Sequence, residues 1–124
     1  MRMLLYCWHK DKSEAVGDIM LEQLIEKYGE DFSWFELADN NNLKQSLEKR
    51  LIIELVPEHE LYSKGKKFIA VAKNERNDDV LFGEGQEFYI VHLTWSTGSA
   101  NSPKYKKVNR DEIIAFLEKD YLYG

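Results

Sequence analysis

Apolar positions along this chain switch from helical spacing to strand-like alternation and back again. From Ser13, Val16, Met20, Leu24 and Tyr28 fall on one i+4 row, with Ile19 and Leu21 to Ile25 beside it. That pattern predicts an amphipathic helix with Ser13 as N-cap and Gly29 at its end. The aromatics of Phe32-Ser33-Trp34-Phe35 read as a link or short strand that tucks rings beneath the helices. A second helix should follow the Asp39-Asn40-Asn41-Asn42 run, any member of which can cap, because Leu43, Leu47, Leu51 and Leu55 repeat every four residues up to Pro57. Its last part, LIIELV, is equally compatible with a strand by period alone.

Beyond the turn-like PEHELYSKGKK the signal becomes extended. Phe68 to Ala72 reads as a strand and Asn74 to Asn77 as a turn; Val80-Leu81-Phe82 is a further strand and Gly83-Glu84-Gly85 a hairpin connection. Phe88 to Trp95 is the longest strand signal, dense in aromatic and β-branched residues. Alternation sets Tyr89, Val91, Leu93 and Trp95 on one face as core, and Phe88, Ile90, His92 and Thr94 on the other. A polar loop over Thr97 to Pro103 follows. Lys104 to Val108 is a candidate edge strand, and Asn109 a candidate cap for a last helix that buries Ile113, Ile114, Phe116 and Leu117. The fold expected is a single α+β domain over 1–124: two N-terminal helices, an antiparallel β-meander of three to four strands and a C-terminal helix.

Composition narrows the function classes. With 124 residues, 44% hydrophobic and 31% charged, the chain can close one hydrophobic core and has the balance of an ordinary globular domain. No apolar run approaches the ~20 residues a bilayer requires, and the opening MRMLLYCWHKDK is too short an apolar patch for a secretory leader. The single cysteine, Cys7, cannot close an internal disulfide, and a reducing cytoplasm is the compartment it suits. A net charge of −5 gives no long-range attraction for phosphate backbones, so nucleic acid is not an expected partner. The lysine clusters at 64–67 and 104–107 read as solvated edges.

Candidate chemistry gathers around the hairpin. His92 and Thr94 face away from the expected core, and Asp78 and Asp79 open the preceding strand. Adjacent carboxylates opposite a histidine can hold a hard cation or work as an acid/base pair, and His59 would complete a two-histidine, one-carboxylate set. Against this, adjacent strand residues point to opposite faces, and none of the ligand spacings HxH, HxxxH or HxxE occurs. The bland alternatives are a hydrogen-bonded structural His92, and aspartates of which one caps the turn while the other pairs with a base such as Arg76. No nucleophile elbow or phosphate-binding glycine loop is present, so no catalytic residue, metal or cofactor is expected.

NDDVLF followed by FYIVHLTWS, with EHELY about twenty residues upstream, resembles a family of small bacterial cytosolic proteins akin to the stand-alone immunity-type proteins found near toxin genes. The resemblance covers His59 to Ser96. It implies a cytoplasmic α+β protein whose shared polar positions map to His59, Asp78, Asp79, His92, Thr94, Trp95 and Ser96. The expected function is therefore binding of a partner protein through the hairpin end and the loop after it. The rival classes are a metal-dependent or acid/base hydrolase using the His/Asp cluster, and an adaptor that assembles only with itself.

Overall fold

The structure, a computed structural model, describes residues 21–38 and 40–123. The expected cap at Ser13, the start of the first helix and Cys7 lie outside the described residues. The observed elements are helix α1 over 21–28, strand β1 (Trp34–Glu36), helix α2 (Asn41–Glu54), β2 (Ile69–Asn74), β3 (Asp79–Glu84), β4 (Glu87–His92), β5 (Lys104–Asn109) and helix α3 (Ile113–Tyr123). Short 3-10 helices occupy Gly29–Asp31 and Tyr62–Lys67.

The five strands form one sheet in the order β1-β2-β3-β4-β5, every neighbouring pair antiparallel. This corrects the expected three to four strands. The aromatic stretch after Gly29 contributes a short edge strand, so the sheet begins between the two N-terminal helices rather than after them.

Both faces of the sheet are covered, giving three layers. On one face, Trp34, Ala72, Leu81, Phe88, Ile90 and Val108 pack with Leu21 and Leu24 of α1 and Ile113 and Leu117 of α3. On the other, Ala70, Val80, Phe82, Tyr89, Val91 and Leu93 pack with Leu47 and Leu51 of α2, with Leu55 at its C-cap, and with Leu61 and Phe68. A sheet sandwiched in this way needs apolar residues on both faces, which is why β3 and β4 read as near-continuous apolar runs. The Leu repeat settles LIIELV as helix through Glu54, and the Asn40 side chain caps it by accepting from the Leu43 amide at 3.1 Å.

Several boundaries move from those the sequence suggested. The β3–β4 hairpin turns on Gly85 and Gln86, with Gly85 at φ 63° and Glu84 paired to Glu87. Gly83 is thus a strand residue. Asn109 closes β5 instead of capping α3, and its carbonyl accepts from the Glu112 amide in the turn between them. Strand β2 carries a bulge between Ala70 and Ala72. There the Val71 carbonyl accepts from Leu37 N at 3.0 Å, while Glu48 of α2 takes the Ala70 amide at 2.9 Å. That carboxylate ties α2 to the irregular point of the sheet.

Among the described residues, no helix is long and apolar enough to cross a membrane. Strand β4 alternates as expected as far as its end, with Leu93 buried beyond it and His92 exposed. Leu93→Ala is therefore expected to cost about 2–5 kcal/mol of unfolding free energy, and His92→Ala less than about 1 kcal/mol, as read by chemical denaturation.

Candidate functional site: the loop after β4 and its buried carboxylate

At the end of β4 the alternation argument stops applying. The strand ends at His92, so Thr94 and Trp95 lie beyond it, and Trp95 is exposed (51%) instead of joining the core. The chain turns here because of Glu54, whose side chain has no exposed surface although it sits at the last residue of α2. Leu47, Leu51, Glu54 and Leu55 share one helical stripe, so the carboxylate is delivered to the inner face. It accepts hydrogen bonds from the Thr94 amide (2.9 Å), the Thr94 hydroxyl (3.0 Å), the Trp95 amide (2.7 Å) and Arg50 Nε (2.7 Å). A buried carboxylate is tolerated only when paired and hydrogen-bonded in this way. Burial pushes the Glu54 carboxyl up, but the Thr94 amide, Arg50, the Trp95 amide and the Thr94 hydroxyl together outweigh it and hold the group below its ordinary value of 4.5.

The clamp sets the loop's shape. To bring both amides onto one carboxylate, Trp95 takes φ 59°, the left-handed region that a bulky residue rarely occupies. Arg50 lies over the Trp95 ring, 5.3 Å from its centroid, and Nη2 donates to the Ser96 carbonyl at 2.9 Å. Ser96 turns inward on Thr94: its amide and its hydroxyl both reach Thr94 Oγ1, at 3.2 and 3.0 Å. Gly98 then passes against the end of α2, where a Cβ would stand 1.7 Å from the Glu54 carbonyl oxygen. No side chain fits there.

His59 anchors the far end of the same loop. Its ring is buried; Nδ1 accepts from the Leu61 amide (3.0 Å), so Nε2 carries the proton and donates to the Pro103 carbonyl at 2.7 Å. With both nitrogens engaged it has no lone pair to offer a metal. It also stands on the α2 side of the sheet against Tyr105, at 5.8 Å between ring centroids, whereas His92 projects on the α1/α3 side with Ile90. The sheet separates the two histidines, and among the described residues no group of three His, Cys, Asp or Glu side chains could hold a metal ion.

His92 and Asp79 do meet. They are register partners across the hairpin, and Nδ1 lies 2.8 Å from Asp79 Oδ1. The partner of that aspartate is thus His92 rather than Arg76, which reaches the Tyr121 carbonyl instead. The turn is capped by Asn77, whose side chain takes the Asp79 amide at 2.8 Å. The side chain of Asp78 is exposed, and its carbonyl accepts from Leu93 N. The His92 ring is 54% exposed, and among the described residues no hydroxyl or thiol is hydrogen-bonded to its Nε2. A carboxylate-oriented imidazole of this kind can exchange a proton with a bound molecule.

The residues proposed from the sequence therefore divide. Thr94, Trp95 and Ser96 form one unit with Glu54 and Arg50; Asp79 and His92 form a surface pair beside it; His59 is a structural anchor and Asp78 a turn residue. No protein-family model, curated protein or solved structure matches this chain. The resemblance to immunity-type proteins expected from the motif finds no support in these comparisons. Sequence reasoning missed Glu54, Arg50 and Gly98. The signal for the first was there: an acid on the buried stripe of an otherwise leucine-lined helix.

Glu54→Gln is expected to lose roughly 1.5–3 kcal/mol, the worth of hydrogen bonds to a charged acceptor. Because the folded-state value is depressed, that advantage of the wild type is complete above the ordinary 4.5 and is lost as pH falls through the folded-state value. Denaturation curves of the two proteins measured from neutral to acid pH should converge. Gly98→Ala should cost about 1–3 kcal/mol or more and shift the Trp95 indole resonance in NMR spectra, since the loop must move off the end of α2.

Proposed function

We propose that this chain is a cytoplasmic partner-binding protein, of the immunity type its motif resembles, and that it docks a partner protein through the loop carrying Trp95 and Ser96. One observation carries the reading. Trp95 is both exposed and in a left-handed backbone conformation that costs a side-chain-bearing residue roughly 1–2 kcal/mol. The Glu54 clamp accounts for the backbone conformation but asks nothing of the side chain, and glycine would meet it without strain. A tryptophan kept there, exposed and packed only on Arg50, is the kind of strained position that collects at ligand clamps and binding sites. An aromatic side chain on a pre-set loop is also the commonest kind of interface hot spot.

The support beneath it is consistent with that role. Glu54, Gly98 and His59 fix the loop at its start, middle and end, so little conformational freedom is left to lose on association. The net charge of −5 favours encounter with a basic partner surface. Of the cluster that the hydrolase alternative draws on, the Asp79–His92 pair is what meets among the described residues, because both His59 nitrogens are engaged elsewhere.

The test is affinity capture with the wild-type chain from the source cell, identification of the retained protein, and titration of the purified pair. Trp95→Gly is expected to weaken binding at least about thirtyfold, the ~2 kcal/mol of a hot spot. Its unfolding free energy should stay within about 1 kcal/mol of wild type, because glycine enters the left-handed region freely. Retention of the partner with unchanged affinity, or a loss of stability above about 2 kcal/mol, would make Trp95 a structural residue and end this reading.

A further inference from the structure

On the outer side of α2 lies a feature that shares no residue with the Trp95 loop. The 3-10 helix Tyr62–Lys67 runs beside the C-terminal half of α2, and the two enclose a groove of about 450 Å³. Its floor and walls are Ile52, Leu55 and the Tyr62 ring, and Ser63, Lys66 and Lys67 stand around it. Ile52 is 42% and Tyr62 50% exposed, so the apolar wall is open to a ligand. Gly65 lets the two elements close up: a Cβ there would approach Leu55 Cδ1 to 3.2 Å.

The charges on this groove are uneven. Lys64 is engaged, its Nζ 3.1 Å from the Tyr89 hydroxyl and 3.6 Å from Glu84. Lys66 and Lys67 have no ion pair among the described residues and are exposed. In a chain of net charge −5, an apolar trough bordered by two exposed ammonium groups that make no ion pair among the described residues is complementary to an apolar body with an anionic end. Size points to a free small molecule rather than a protein surface. The volume is that of a small-molecule cleft, roughly 300–1,000 Å³, and its lining falls far short of the roughly 20–30 residues a side of a protein interface.

We propose that the groove between α2 and the 3-10 helix Tyr62–Lys67 binds a small amphipathic carboxylate, its hydrocarbon part against Ile52, Leu55 and Tyr62 and its carboxylate at Lys66 and Lys67. The apolar contacts supply affinity in proportion to the area they cover. The lysines select the sign of the head group, and salt weakens that selection because both ammonium groups are solvent-exposed.

Decanoate, and decylammonium with the same tail length, serve as probes in calorimetric titration and amide chemical-shift mapping, both below micelle-forming concentration. Decanoate is expected to bind saturably, at least about tenfold tighter than decylammonium, with shifts centred on Ile52, Leu55 and Tyr62. The Lys66→Glu/Lys67→Glu double variant should reverse that preference, and Ile52→Ser should weaken both probes. Trp95→Gly should bind decanoate as the wild type does, which keeps this test separate from that of the partner-binding loop. Circular dichroism verifies that each variant is folded. Absence of saturable decanoate binding, equal affinity for the two probes, a double variant that still prefers decanoate, or shifts centred elsewhere would each overturn the proposal.

Discussion

A single carboxylate with no access to water organises the functional end of this molecule. Glu54 is an ion that folding removed from solvent, and the cost of that removal is offset only while Arg50, the Thr94 hydroxyl and two backbone amides converge on it. Each of those donors comes at a structural condition. Arg50 must lie one turn back on α2, the strand must end at His92, and Trp95 must accept a positive φ. The other features of the loop follow from the carboxylate's demand for donors, including the Arg50–Trp95 stack and the passage of Gly98 over the helix end.

Helix α2 is thereby more than a cover for one face of the sheet. Its leucines fill the core, while its carboxylates reach to opposite parts of the sheet, Glu48 to the bulge in β2 and Glu54 to the exit of β4. Just beyond the helix, His59 fastens the following turn to Pro103 at the entry to β5. The long β4–β5 connection is consequently held against one helix end at points spread along its length. A loop held in this manner presents its side chains in one arrangement, the property a recognition surface needs and a solvated linker lacks.

The sequence made some of this legible. The leucine repeat of α2, the apolar density of β3 and β4 and the lysine-rich β5 are local signals, and local signals survive folding because packing agrees with them. The pairing of Asp79 with His92 depended on where the hairpin turns. A connection centred on Glu84 would have opposed different residues, and only a turn on Gly85–Gln86 brings these two together. The aromatic density that carries the strand reading on to Trp95 is a propensity, and a propensity yields to a buried acid 40 positions upstream that competes for the strand's next amides. No periodicity reports on a contact of that range. Gly98 belongs to the same class: its polar neighbours read as a loose loop, whereas its lack of a side chain answers to the Glu54 carbonyl.

The hydrogen bonds of Thr94 and Trp95 also bear on how the loop moves. A surface amide ordinarily exchanges its hydrogen with water at the rate of local fluctuation. These two end on a carboxylate with no exposed surface, so each must leave Glu54 before its hydrogen can exchange. At these two amides the loop carries the protection of an anchored segment, although its tryptophan ring stands in water.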